Sequence, residues 1–223
     1  MADALVESRL KALDLLHRVF DGKAFWMNTA ALSGKELAAA SSRALDDRAL
    51  LSLGLSAGKL LCLPAGVTMV RACAQLLMEF EHHFFPGLKQ DLKLLGLRSA
   101  PDDYYPDTCS GVGDLEPIKP VIHRAGGQVK YEHLVVFPRM SPGQLDFVET
   151  TCCMLDTLTQ VYRKFVDVSC SAPGVFEALS RVDSKLRKLV LKPLAEELSA
   201  ACGVAISTRT ASVGALVGLA PAS

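Results

Sequence analysis

The pattern closest to a metal site in this chain is Glu79-Phe80-Glu81-His82-His83, which lies within a predicted helix. Glu79 and His82 are three residues apart and therefore share one helix face, a spacing that is found in di-iron helical bundles. Such a bundle needs a second Glu-x-x-His motif and two further carboxylates. The sequence contains no second copy of the motif. We therefore expect a solvated helix end here, and we assign no metal ligand and no cofactor-binding residue.

The seven cysteines are an odd number, and no two of them are spaced as Cys-x-x-Cys. A zinc ribbon or a thioredoxin-type motif is therefore not indicated. Cys152 and Cys153 are neighbours on a predicted helix and point about 100° apart, so they are poorly placed to chelate one ion together. Free thiols packed inside a cytoplasmic protein explain the pattern, and we assign no catalytic residue.

Four basic residues recur at steps of four, three and four along a predicted helix: Arg181, Lys185, Lys188 and Lys192. This basic stripe has two interpretations. It is either a solvated helix face or a docking face for an acidic partner or for phosphoinositide head groups. We carry it forward as a candidate partner-binding site.

Residues 97–140 lack a helical period and predict a long loop that contains a β-hairpin. Tyr104 and Tyr105 lie in its acidic first half, where they either form a recognition surface or pin the loop to the helices. Val121–His123 and Val129–Phe137 are the predicted strands. The second strand contains a run of apolar residues that we carry forward as candidate partner-binding residues: Leu134, Val135 and Val136. They form either an exposed edge that pairs with another chain or a segment that lies flat on the helices.

The composition is typical of a folded domain, because 50% of the 223 residues are hydrophobic and 22% are charged. The formal net charge is zero, so we expect no nucleic-acid partner. The N-terminus lacks the basic region and apolar core of a secretory signal. The apolar stretch from Leu50 to Val70 has Lys59 near its centre and is interrupted by Pro64, so we predict a buried helix and no transmembrane segment.

The helices that position these residues are predicted to be organised around the stretch from Ser141 to Cys202. Ser141–Gln144 has the sequence of a capped helix start, and an apolar stripe follows it as far as Phe165. A second apolar stripe runs from Val175 to Leu198, and Pro193 is expected to kink that helix. The short connection predicts that the two helices pack against each other in antiparallel orientation.

The first half of the chain predicts further helices that cover this pair, with a capping box at Ser33–Glu36 and a central helix over Leu50–Leu63. The predicted fold class is therefore mainly α. It is an irregular multi-helix bundle of five to seven helices, with a small β-hairpin inserted before the C-terminal helix pair. Residues 1–203 are predicted to form a single helical domain, and residues 204–223 a poorly ordered tail.

These observations favour a non-enzymatic interaction protein that works as an adaptor or subunit of a cytoplasmic assembly and has a protein partner. One alternative is a lipid or membrane-surface binding module that uses the basic stripe. A further alternative is a cryptic enzyme or a metal-binding helical bundle.

Overall fold

The computed structural model describes residues 2–38, 45–85, 122–125, 128–131, 134–138, 145–166 and 175–217. Over these residues the fold is mainly helical, as the sequence predicts. A π-helical turn, Arg187–Leu191, joins the last two helices. The helices are α1 (Ala2–Phe20), α2 (Gly34–Ala38), α3 (Asp47–Leu60), α4 (Val67–Phe84), α5 (Phe147–Val166), α6 (Val175–Leu186) and α7 (Lys192–Val217).

The helix predicted to follow Ser141 is α5, and it begins at Phe147. Its first turn is capped by Asp146, whose Oδ1 accepts a hydrogen bond from the backbone N–H of Glu149 at 2.9 Å. The capping box predicted at Ser141–Gln144 lies outside the described residues. The second predicted capping box is confirmed, since the backbone N–H of Ser33 donates to Glu36 Oε2 at 2.7 Å.

The core is centred on α5, which packs against both α1 and α3. Gly54 lets α3 approach closely, because a Cβ atom at that position would lie 3.4 Å from the Cα of Met154 in α5. The principal helical partner of α6 is α4, and not α5. The predicted antiparallel pair of α5 and α6 is therefore not the unit around which the bundle packs, because each helix covers its apolar stripe with helices from the first half of the chain.

Two predictions about the irregular parts of the chain need correction. Ile122–Ala125 and Gln128–Tyr131 form a short antiparallel ladder, β1 and β2. The predicted hairpin, with a strand that continues to Phe137, is not supported, since residues 134–138 have no strand pairing. At the other end, α7 continues through Val217, although a poorly ordered tail is predicted from residue 204. This part of α7 has no apolar period because most of it faces solvent, but its small residues are compatible with a continuing helix.

Candidate functional site

A groove of about 490 Å³ lies between α1 and the helices on either side of the π-helical turn. Its lining contains basic side chains and no carboxylate. The basic residues are Arg9 from α1, Arg187 and Lys188 from the π-helical turn, and Lys192 from α7. We call this site the basic groove. A site where cations outnumber the neighbouring carboxylates attracts a negatively charged ligand.

The rest of the lining is apolar or small. Leu15 and Leu16 of α1 and Leu191 of the π-helical turn belong to the lining. Leu15 is 47% exposed, whereas Leu16 and Leu191 are buried. Trp26 lies at the same site, with its indole Nε1 donating to Ser199 Oγ at 3.1 Å. The groove therefore combines a charged rim with an apolar floor, which suits a ligand that has both characters.

The π-helical turn contributes three of the groove residues, and Pro193 explains its position. Proline has no backbone N–H and its ring clashes with the carbonyl of the preceding turn, so a regular α-helix is disfavoured just before it. The chain widens instead, and the N–H of Lys192 donates to the carbonyl of Arg187 five residues earlier. The predicted irregularity at Pro193 is thus a π-helical turn, a feature that is frequent at functional sites.

The predicted basic stripe is divided by the fold. Lys188 and Lys192 line the basic groove, whereas Arg181 and Lys185 do not. All four have acidic neighbours: Arg181 contacts Glu177, Lys185 and Lys188 share Glu81, and Lys192 lies 3.6 Å from Glu196. The stripe as a whole is therefore partly neutralised.

Arg187 differs from the cations of the stripe, because it has no carboxylate partner within the described part of the chain. Lys192 and Glu196 are 71% and 65% exposed, so water screens their mutual attraction. Lys188 and Lys185 together bring two positive charges to the single carboxylate of Glu81. A net positive charge therefore remains at the rim of the groove.

Arg9 is held in place by a buried ion pair. Its Nε and Nη2 donate to the two carboxylate oxygens of Asp183 at 2.6 and 2.9 Å, and Tyr162 donates to Asp183 at 3.3 Å. Burial alone would lower the pKa of Arg9, but the hydrogen bonds and negative charge of Asp183 outweigh it and raise the pKa. Arg9 thus contributes a fixed guanidinium whose charge is largely balanced, so the exposed cations carry most of the attraction for an anion.

The apolar run predicted as a strand edge is occupied by contacts within the chain. Leu134 and Val135 are buried, and their backbone N–H groups donate to Glu79 Oε2 at 3.0 and 3.1 Å. The N–H of Val136 donates to Ser56 Oγ at 2.8 Å, and its carbonyl accepts from Ser52. We call this set of hydrogen bonds the backbone clasp. It corresponds to the alternative in which the segment lies flat on the helices, so we do not retain Leu134, Val135 and Val136 as a partner-binding edge.

The expectation of a solvated helix end at Glu79 is wrong, because this side chain is fully buried. One oxygen holds the backbone clasp and the other accepts from Gln75 Nε2 at 2.7 Å. Within the described residues, no group of three or more His, Cys, Asp or Glu side chains is arranged to hold a metal ion. For the adjacent cysteines, burial together with nearby carboxylates raises the pKa of Cys152 to about 11, which makes its thiol a poor nucleophile.

Gly54-Leu55-Ser56-Ala57-Gly58 has the Gly-x-Ser-x-Gly spacing of a serine nucleophile elbow. This motif was overlooked when no catalytic residue was assigned above. In an elbow the serine lies on a turn between a strand and a helix. Here the whole motif lies inside α3, and Ser56 is buried. Its hydroxyl donates to the carbonyl of Ser52 at 2.6 Å. The proton is thus not shared with a general base, and the motif serves the backbone clasp.

Tyr104 and Tyr105 lie outside the described residues, so they stay predictions. Sequence reasoning missed Arg9 and Arg187 as site residues, and it favoured an anchor packed under the helices over a partner-binding role for Trp26. Arg9 and Arg187 belong to helices that are far apart in sequence, and Arg187 lies one position off the basic stripe. Pro193 late in an otherwise regular helical pattern was the available signal that this part of the surface is unusual.

Comparisons of the chain with protein-family models, with curated proteins and with solved structures found no match. Among the helices of the described residues, none has the length and apolar character required to cross a membrane.

Proposed function

We propose that this protein is a non-enzymatic interaction protein, an adaptor or assembly subunit, that binds an acidic segment of a partner protein in the basic groove. The observation that carries this proposal is the composition of the lining, in which Arg9, Arg187, Lys188 and Lys192 surround leucines without an intervening carboxylate. Charge complementarity of this kind favours acidic partners and speeds their association.

The apolar floor supports a partner segment with apolar side chains of its own. Leu15 is 47% exposed although it lies in a concave site, so an occupant would remove its surface from water. Trp26 is partly buried and lines the same groove, and tryptophan is enriched among the energetic hot spots of docking sites. The five cysteines in the described part of the chain are free thiols, which supports the proposed cytoplasmic location.

The test is a comparison of three versions of the chain as affinity baits in a low-salt extract of the organism that encodes it. The versions are the wild type, the double reversal Arg187→Glu/Lys192→Glu, and the matched control Arg181→Glu. Arg181 is an exposed cation in α6, but it is not part of the groove lining. We expect a protein that is retained by the wild type and by the control but is lost from the double reversal.

A second measurement connects that protein to the groove. Trp26 is the only tryptophan and lines the groove, so its fluorescence reports occupancy. The captured protein, once purified, should change the Trp26 emission of the wild type and of Arg181→Glu at low salt, and the change should shrink as salt screens the charges. Equal retention by all three baits would overturn the proposal.

An anionic membrane surface is the second candidate, because two large apolar side chains protrude beside the groove. Phe25 and Met27 are 60% and 74% exposed on either side of Trp26. Met27 and Asn28 have positive φ angles of 48° and 56°, a conformation that is uncommon for residues other than glycine. The test is sedimentation of the protein with anionic vesicles. Membrane binding would be favoured over the groove proposal if Phe25→Ser/Met27→Ser abolishes sedimentation and Arg187→Glu/Lys192→Glu does not.

A further inference from the structure

We infer that the occupant of the basic groove is an acidic amphipathic α-helix of about three turns, an inference that rests on the proposed function and names its partner class. The long side of the groove runs from Ser184 to Ala195 along α6, the π-helical turn and α7. These twelve residues are separated by eleven steps of about 1.5 Å, which give a length of about 16 Å, and a helix of about three turns on the partner has the same length.

The small residues of the lining favour a helix that lies against the floor. Ser184 and Ala195 mark the two ends of the long side, and Ala12 belongs to the lining that α1 provides. Small side chains at such positions let the backbone of a neighbouring helix approach, whereas large ones hold it away.

The distribution of charge sets the pattern that the occupant requires. Leu15 supplies most of the open apolar surface of the floor, because Leu16 and Leu191 are only 4% and 7% exposed. Arg187, Lys188 and Lys192 line the groove beside it. The complementary helix carries an apolar stripe at steps of three and four that is flanked by Asp or Glu, which is the helix-in-groove mode of recognition. A uniformly acidic segment would leave Leu15 uncovered.

The probes are three synthetic 16-residue peptides, tested against the full chain by Trp26 fluorescence and by circular dichroism of the peptide. The first places Leu at steps of three and four with Glu on both sides. The second has the same composition, with Leu and Glu rearranged to alternate, so that no helical stripe remains. The third keeps the stripe and replaces every Glu by Lys. The protein variants are Arg187→Glu/Lys192→Glu, the milder Arg187→Gln/Lys192→Gln, the control Arg181→Glu, and Ala195→Leu, which fills the floor without changing charge and leaves Trp26 as the only tryptophan.

We expect the striped acidic peptide to bind the wild type at least tenfold more tightly than the rearranged peptide does and to gain helical signal on binding. Arg187→Glu/Lys192→Glu should weaken this binding at least tenfold and should gain affinity for the lysine peptide, with Arg187→Gln/Lys192→Gln in between. Ala195→Leu should weaken binding, and Arg181→Glu should leave it within twofold of wild type. Melting curves establish that each variant is folded, and the gain of lysine-peptide binding cannot arise from unfolding.

Equal affinity of the two acidic peptides, with both lost in the charge reversal, would overturn the helical occupant and leave the proposed acidic partner intact. Binding that is insensitive to Arg187→Glu/Lys192→Glu, or no binding of either acidic peptide, would overturn this inference and the groove proposal together.

Discussion

The backbone clasp provides a sharp test of how this fold is held together, through the substitution Glu79→Ala. Glu79 is fully buried and accepts from the N–H groups of Leu134 and Val135 and from Gln75 Nε2. Removing the carboxylate leaves three buried donors without this acceptor, each at a cost of about 1–3 kcal/mol. After partial relaxation we expect a loss of about 3–5 kcal/mol in the free energy of unfolding, a large part of the 5–15 kcal/mol typical of a domain.

The assay is urea unfolding followed by circular dichroism, supported by hydrogen exchange. Glu79→Gln keeps the volume but presents one acceptor oxygen instead of two, so we expect a loss of about 1–3 kcal/mol. Glu177→Ala removes a carboxylate that is 67% exposed and should cost less than about 0.5 kcal/mol. In Glu79→Ala the amides of Leu134 and Val135 should exchange much faster than in wild type. A cost below about 1 kcal/mol, with unchanged exchange at those amides, would refute the clasp.

Three further predictions concern the core, the helix ends and acid stability. Leu155 and Leu186 are 0% and 1% exposed, so replacing either by Ala should lower the free energy of unfolding in urea by about 2–5 kcal/mol. Leu15→Ala should lower it much less. A loss below about 0.5 kcal/mol at either core position would show that its stripe faces solvent. Lys164 Nζ donates to the carbonyls of Leu61 and Leu63 at 2.6 and 2.8 Å, so Lys164→Met should lower the free energy of unfolding by about 1.5–3 kcal/mol. Arg163→Met, at an exposed position, should be near neutral. Similar effects at both positions would contradict a stabilising role for the hydrogen bonds of Lys164. Burial raises the pKa of Glu81, but hydrogen bonds from Lys185 and Lys188 outweigh it and hold the pKa below its ordinary value of 4.5. The stability that Glu81 contributes is therefore present above pH 4.5 and is lost as pH falls through the lowered pKa. Glu81→Gln should for this reason flatten the acid limb of a plot of unfolding free energy against pH. An unchanged acid limb would contradict the lowered pKa of Glu81.

The helical class of this protein, and much of its core, follow from local sequence. Periodic apolar stripes predict α5 and the helix from Val175, together with the burial of Leu155 and Leu186, because residues three and four apart share one helix face. The capping box at Ser33 is equally local and forms as predicted. Pro193 likewise marks the irregular turn, since its missing N–H acts on the residues just before it.

The packing partners and the site were decided by the tertiary structure. The apolar stripes of α5 and α6 do not specify which helices will cover them, and the fold covers them mainly with α1, α3 and α4. Glu79 resembles a surface carboxylate in the sequence, yet it is buried because backbone N–H groups about 55 residues away supply its hydrogen bonds. The basic groove depends in the same way on α1 meeting the π-helical turn. Periodicity determines which face of a helix is buried, but contacts between distant segments determine what that face meets, and both the clasp and the groove are made of such contacts.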